Sequence, residues 1–353
     1  MSNFKKHIPF LAAVLMVVLG LGISIYQKNA QPEQYKKIYI DAFDTVTQII
    51  GYAESEEIFS EQANTINQAL IYYNDLYDIY SIREGVNNLR TINYNAGKEP
   101  VKVEQEIIDL LKFSINLYDK TNGQTNIALG SVLKLWHNYR NYGIDNPSEA
   151  ALPSLEELQE AANHCDIHNI IIDEEASTVY LNDPEMSLDV GSIGKGYAVQ
   201  KVAEYARELG YNNMVISVGG NISVIGPKPD DSLWKFGVQN PDLESEQASV
   251  ASVNLVDTCL VTSGDYQRYY TVDGVDYCHI IDPDTLMPAD YCKSVTVITP
   301  DSGEADALST AVFCMPYEEG LAFINTYENA EAMWVLEDGS IQYSSNFKSY
   351  LAN

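Results

Sequence analysis

The stretch Ser187–Ile225, SLDVGSIGKGYAVQKVAEYARELGYNNMVISVGGNISVI, decides how the rest of the chain is read. An apolar strand leads into a glycine-rich turn, Asp189–Gly196 (DVGSIGKG). Helical spacing then runs from Tyr197 to Leu209, with Gly210 at its C-terminal end. Strand-like runs fill 214–225 on either side of Gly219-Gly220, a pair that suits a β-hairpin turn or a close approach to a ligand. A helix followed by such a run departs from the regular strand-helix-strand alternation of a doubly wound parallel sheet.

The flanking sequence keeps this irregular mixture. Upstream, Lys37–Tyr52 alternates as a strand, and residues 56–82 carry apolar side chains at helical spacing. A second helix covers 104–121 before Asn122-Gly123, and Ser154 with Glu157 forms a capping box for a third helix ending near Asn163. Short strands are expected at Asn169–Ile172 and Thr178–Leu181. Downstream, strands fall at 234–239, 250–262, 268–281 and 293–299, ahead of a helix over 303–314. The fold class is therefore α+β, with mixed or antiparallel sheets and packed helices, in one body spanning residues 38–353.

The N-terminus reads differently. Ile8–Gln27 holds 20 residues without a charge, about 30 Å as a helix, preceded by Lys5, Lys6 and His7. Residues 1–30 are thus expected to be an N-terminal membrane-spanning helix, either a cleavable signal peptide or a retained signal anchor, followed by a polar linker at 31–37. The positive-inside rule then puts the body on the extracytoplasmic face of the cell membrane, or outside the cell if the leader is removed.

Across 353 residues there are 21 Lys+Arg and 50 Asp+Glu, a formal charge of −29; without Lys5, Lys6 and Lys28 of the leader the body stands at −32. Such a surface repels a polyanion, so nucleic acid is excluded as a partner. An anionic cofactor needs a local cluster of lysines, helix N-termini or a metal to override that field. The five cysteines (165, 259, 278, 292, 314) are scattered without a CxxC, so neither a zinc ribbon nor a thioredoxin-type site is encoded; export would allow one or two disulfides, and buried free thiols are the expectation.

Three segments carry chemistry. In DVGSIGKG, glycines permit close backbone approach, the helix start offers free N–H groups, and Lys195 adds charge, which together suit a phosphate. The segment is neither a P-loop, since Asp189 stands where glycine is required, nor a dinucleotide fingerprint, since Val199 occupies the third glycine position. In CHIIDP (278–283), His279 and Asp282 lie three apart and suit acid-base work. In EADALST (304–310), Asp306 and Thr310 are one helical turn apart, a carboxylate and hydroxyl suited to Mg2+.

Taken in order, FDT (43–45), NGQTNI (122–127), DVGSIGKGYA (189–198), VGGNI (218–222), TSGDYQR (262–268), HIIDP (279–283) and ADALST (305–310) resemble the FAD:protein FMN transferase, or ApbE, family over roughly residues 38–325. The resemblance implies an ApbE/T-fold-like architecture. It also implies Mg2+-dependent cleavage of FAD at its pyrophosphate, with FMN passing to a threonine hydroxyl of a flavin-accepting redox protein and AMP released. The acceptor motif would be similar to Ser-Gly-Ala-Thr. Phe43 would touch the flavin and Tyr80 would pack on the isoalloxazine. Gln124, Thr125 and Asn126 would line the cleft, Asp189 and Lys195 would contact FAD, and His279 would lie by the phosphates. Asp306 and Thr310 would hold Mg2+ through side chains and Ser192 through its carbonyl, with His279 or Asp282 taking the hydroxyl proton.

Four positions depart from the family pattern: Asn126 where many members carry Asp, Leu286 in place of a glycine, Ser192 for Gly or Ala, and Ser309 where some carry a second acid. At Leu286 the turn is expected to change its φ. An FAD pyrophosphatase needs the same groups as a transferase, and a non-catalytic flavin-binding protein would not need the metal pair.

Overall fold

The computed structural model describes residues 32–352, so the leader expected at 1–30 lies outside the described residues. Among the described residues no helix is long and apolar enough to cross a membrane.

The frame is an eight-stranded sheet in which every neighbouring pair is antiparallel. Its order is β1 (Glu33–Tyr39), β2 (Thr47–Ala53), β6 (Met214–Val218), β7 (Asn221–Ile225), β10 (Cys259–Gly264), β13 (Ser294–Thr299), β14 (Glu331–Val335) and β15 (Ile341–Tyr343). One face buries Ile49, Met214, Ile216 and Val218 against α1 (Glu56–Tyr77) and α6 (Gly194–Glu208). It continues as Val261, Val295 and Val297 against Ala305, Leu308 and Val312 of α7 (Ser302–Phe313). Alternate residues Val215, Val224, Leu260 and Ile298 face the other way, onto the hairpin of β8 (Trp234–Gln239) and β9 (Ser249–Leu255). Both faces are covered, which is why β13 has all six residues buried rather than alternating.

A second layer of helices completes the body: α2 (Leu89–Tyr94), α3 (Gln105–Lys120), α4 (Gly130–Asp145), α5 (Leu155–Ala162) and α8 (Tyr317–Ile324). Beside them stand a three-stranded sheet of β3 (Val101–Lys102), β4 (Ile170–Asp173) and β5 (Thr178–Leu181), and a hairpin of β11 (Tyr269–Val272) and β12 (Val275–Cys278). The α+β, antiparallel reading matches this architecture.

Several boundaries differ from the sequence expectation. The polar segment read as a linker at 31–37 is largely strand β1, an edge strand whose Lys36 and Lys37 keep it polar while it pairs with β2. The run 37–52 breaks at 40–46, where Phe43 and Asp44 both take positive φ (57° and 47°). The run 250–262 splits at Asp257 (φ 47°), and 268–281 folds back at Asp273-Gly274 (φ 50° and 82°), a two-residue hairpin turn. Gly219 and Gly220, both with positive φ, make the equivalent turn between β6 and β7. Helix α6 starts at Gly194, inside the segment read as a loop, and the five cysteines are free thiols.

Leu286 corrects its expectation outright: its φ is +61°, so leucine takes up the left-handed turn instead of abolishing it. Three hydrogen bonds fix it there. The Leu286 amide donates to Asp282 O, the Met287 carbonyl accepts from the Asp282 amide, and Leu286 O accepts from Trp136 Nε1.

Candidate active site

Helices α6 and α7 lie side by side on the sheet, and the cleft opens at the N-terminal end of α6, beside Asp306 and Thr310 in the middle and last turn of α7. Their approach is set by Gly196. A Cβ there would stand 2.2 Å from Ser302 O and 2.5 Å from Asp306 Cβ, so only glycine fits. This close contact lets the Gly196 amide donate to Asp306 Oδ2 at 2.8 Å, across the two helices. Lys195 Nζ stands 3.8 Å from the same oxygen. Burial pushes the Asp306 carboxyl up, while Lys195, the Gly196 amide and the Asn221 side chain pull it back down. Asn221 Nδ2, buried near that carboxyl, makes no hydrogen bond of ordinary geometry among the described residues.

The cleft has two chambers. The inner one, about 220 Å³, is lined by Gln124, Asn126, Ser192, His279, Asp306 and Thr310 among others. The outer one, about 830 Å³, reaches Phe43, Asp44, Tyr77 and Tyr269. Tyr80, His137, Arg140, Asp189, Lys195 and Arg268 line both. The combined space is of the size that takes an organic cofactor, roughly 300–1,000 Å³.

His279 half-projects from the strand end of β12, and its Nδ1 lies 3.1 Å from Arg268 O. A carbonyl only accepts, so Nδ1 carries the proton and Nε2 keeps its lone pair. Burial, then Arg268, Lys195 and Arg140, hold the ring down to about 3, well below its ordinary 6.5. At neutral pH His279 is therefore an uncharged base.

Asp282, its companion in the sequence motif, is placed elsewhere. It is 2% exposed, its Oδ1 accepts from the Asp284 amide, its Oδ2 accepts from Tyr291, and it does not line either chamber. Thr125 is likewise outside the lining: its hydroxyl donates to Ala307 O and pins the 122–129 loop to α7. Asn126 lines the inner chamber but spends its side chain on Cys165 O and the Ala128 amide. Gln124 donates to Asp284 and leaves a buried Oε1 without a partner. Asp189 Oδ1 accepts from the Gly191 amide at 2.8 Å and shapes the turn. Tyr80 is 67% exposed at the mouth, a ring face free to be covered. Phe43 reaches only the outer chamber.

The residues suit a hard cation. Asp306 Oδ1, the Thr310 hydroxyl and the Ser192 carbonyl take part in no hydrogen bond among the described residues, and all three residues line the inner chamber. No group of three or more His, Cys, Asp or Glu able to hold a metal occurs among the described residues. One carboxylate with neutral oxygens fits Mg2+, which fills its remaining positions with water and substrate phosphate. Ser309 is not part of this set, because its hydroxyl is bonded to Ser263 and to Asp306 O.

Two cations and a histidine line the cleft without having been given a role from the sequence, where Arg268 stands only as the end of TSGDYQR and His137 has no chemical company. Arg140 and His137 lie three residues apart on α4, facing the cleft, and Arg268 closes the opposite side. Burial pushes the Arg140 guanidinium down, and neither it nor Arg268 forms an ion pair among the described residues. The signal was available: Leu129, Val132, Leu133 and Trp136 have helical spacing, and His137 and Arg140 continue it on one side.

Comparison with known proteins agrees with this architecture. The ApbE family model matches residues 43–334. The chain is 32% identical over 271 residues to the FAD:protein FMN transferase of Treponema pallidum, covering 73% of each chain. It is 30% identical over 306 residues to that of Vibrio cholerae, covering 86% of this chain and 87% of the relative. Among solved structures, the ApbE protein of Thermotoga maritima superposes with a TM-score of 0.80 at 29% identity, covering 91% of this chain and all of that one. The flavin transferase ApbE from Vibrio cholerae gives 0.75 at 27% identity, again over 91% of this chain and all of that one. With the match running from Phe43 on the cleft rim to Trp334 in the last core strand, the chain belongs to the ApbE family.

Proposed function

We propose that this chain transfers FMN from FAD to a threonine hydroxyl of a partner protein bearing a Ser-Gly-Ala-Thr-like motif, releases AMP, and depends on Mg2+. The observation that carries the reading is the convergence of an uncharged His279, the open oxygens of Asp306 and Thr310, and the cations Arg140, Lys195 and Arg268 on one cleft of an otherwise acidic protein.

Phosphoryl-type transfer needs positioning and charge neutralisation more than covalent help. Lys195 and the two guanidiniums draw the pyrophosphate into a cleft whose surroundings repel anions, whereas the Gly194, Gly196 and Tyr197 amides at the start of α6 are already taken by Val190 O, Asp306 Oδ2 and Ile193 O. Tyr80 and Phe43 offer aromatic surface to the isoalloxazine. His279 Nε2 takes the proton from the incoming hydroxyl as its oxygen attacks the FMN phosphorus. Asp306, Thr310 and Ser192 O would hold Mg2+, which, when bound, would polarise the phosphoryl oxygens. The leader, where it remains as an anchor, would keep the enzyme at the extracytoplasmic face of the membrane.

The test is intact-mass analysis of a carrier bearing the acceptor motif after incubation with the full-length protein, FAD and Mg2+. A gain of one FMN on the threonine, with AMP released and EDTA suppressing both, is expected. Free FMN and AMP with an unmodified carrier would replace the reading with an FAD pyrophosphatase.

A further inference from the structure

Depth in the cleft separates the charged groups. His279, Asp306 and Thr310 line the inner chamber and do not reach the outer one, whereas Arg140 and Arg268 line both. Lys195 is committed inward, 3.8 Å from Asp306 Oδ2 and 3.4 Å from Gly191 O. Arg140 and Arg268 have no carboxylate partner among the described residues, although the chain carries 50 acidic residues. Elsewhere some cations are paired, Arg83 by Asp75 and Asp78 and Lys293 by Asp265 and Glu337, and others such as Arg90 and Lys102 are not; what sets Arg140 apart is that it is half-buried in the cleft, where the nearby Asp189 makes no ion pair with it, while Arg268 stands exposed at the rim. A half-buried guanidinium left unpaired in so acidic a protein is poised for an anionic ligand.

In the transfer, the bond from the acceptor oxygen to the FMN phosphorus forms while the bridging P–O bond breaks, its electron pair leaving on the AMP phosphate and the hydroxyl proton passing to His279. The phosphorus under attack must lie beside the base and the metal-binding oxygens, in the inner chamber. The second phosphate then lies outward, at the level of the two guanidiniums. We infer that Arg140 and Arg268 form a clamp for the adenylate phosphate of FAD and hold AMP as it departs. This rests on the transferase reading above. Planar guanidiniums suit that group, because its charge grows as the bridging bond breaks.

The experiment measures affinities of full-length wild type, Arg140→Gln, Arg140→Lys and Arg268→Gln for AMP, FMN and FAD, with thermal melting to verify folding. Arg140→Gln and Arg268→Gln are expected to weaken AMP and FAD by about ten-fold or more and leave FMN within about two-fold, with Arg140→Lys between them and wild type. AMP as a product inhibitor should lose potency in the same proportion. Equal weakening of FMN and AMP, or AMP affinity indifferent to both arginines, overturns the clamp. A wild type that binds AMP through Arg140 yet modifies no carrier overturns the transferase reading and leaves the anion subsite standing. A transferring wild type whose AMP affinity ignores both arginines does the reverse.

Discussion

Replacing Gly196 by alanine isolates the contact on which the site is built. The added Cβ would sit 2.2 Å from Ser302 O, so α6 and α7 must separate by about 1 Å to restore an ordinary contact. Overpacking of this kind costs about 1–3 kcal/mol. The same displacement stretches the 2.8 Å bond from the Gly196 amide to the buried Asp306 carboxylate, and losing it adds about 1.5–3 kcal/mol. Alanine's better helix propensity offsets about 1 kcal/mol. The net expectation is a loss of about 1.5–5 kcal/mol, read from urea unfolding of the full-length chain by tryptophan fluorescence at constant m-value. The neighbouring glycines are internal controls. At Gly194 a Cβ meets Val190 side-chain atoms at 3.0 and 3.5 Å and Tyr77 Cδ2 at 3.9 Å, and at Gly191 only Asp189 Oδ1 at 3.0 Å. Neither has a positive φ. Both alanine variants should stay within about 1 kcal/mol of wild type. Gly196→Ala within about 0.5 kcal/mol of wild type, or Gly194→Ala destabilised as much as Gly196→Ala, would refute the close-contact argument.

Three further outcomes are expected. Because His279 is held down to about 3, the folded chain leaves it neutral where the unfolded chain, at 6.5, binds a proton; its contribution to stability therefore rises with pH between about 3 and 6.5 and is complete above that window. Correspondingly, kcat/KM should show no step near pH 6.5, and His279→Ala should lower transfer by about 10²-fold or more; a step that vanishes in His279→Ala would show an ordinary imidazole. Asp282→Ala should cost about 1–3 kcal/mol of stability through the lost bonds to Tyr291 and the Asp284 amide while lowering kcat far less than His279→Ala; the opposite ranking would make Asp282 the base. Asp306→Asn should reduce transfer by about 10²-fold or more with no rescue by added Mg2+, and near-normal activity in EDTA would dismiss the metal pair.

What the sequence revealed and what it hid follow from the range of the forces involved. The α6 and α7 motifs were legible because their residues act through local geometry: Lys195 and Gly196 on the first turn of one helix, Asp306 and Thr310 one turn apart on the other. That Gly196 serves Ser302 rather than a ligand was not, since the contact joins residues about a hundred positions apart. His279 and Asp282 look equivalent in a linear motif. Only the return of the chain at Leu286, where a leucine is held at positive φ by bonds from both sides, turns Asp282 toward Tyr291 and away from the cleft. Thr125 was misjudged for the same reason, its hydroxyl being claimed by Ala307 of a distant helix. Strand β1 was read as linker because an edge strand can be polar on both sides.

The charge of the body and the charge of the cleft are best understood together. Acidic residues outnumber basic ones over the body, and some of the cations outside the cleft are paired with them, as Lys112 is with Glu174 and Lys120 with Glu304. At long range such a protein repels a dianionic ligand, and the repulsion fades within about one Debye length of 8 Å at physiological salt. In the inner chamber the balance reverses, because Arg140, Arg268 and Lys195 face only two acids, Asp189 and Asp306, and neither arginine forms an ion pair among the described residues. Lys195 is reserved by Asp306. Burial first and then the same three cations keep His279 unprotonated, so anion binding and base strength are partly coupled: phosphate drawn in by the arginines relieves their repulsion of the imidazolium just as the hydroxyl proton needs a place to go.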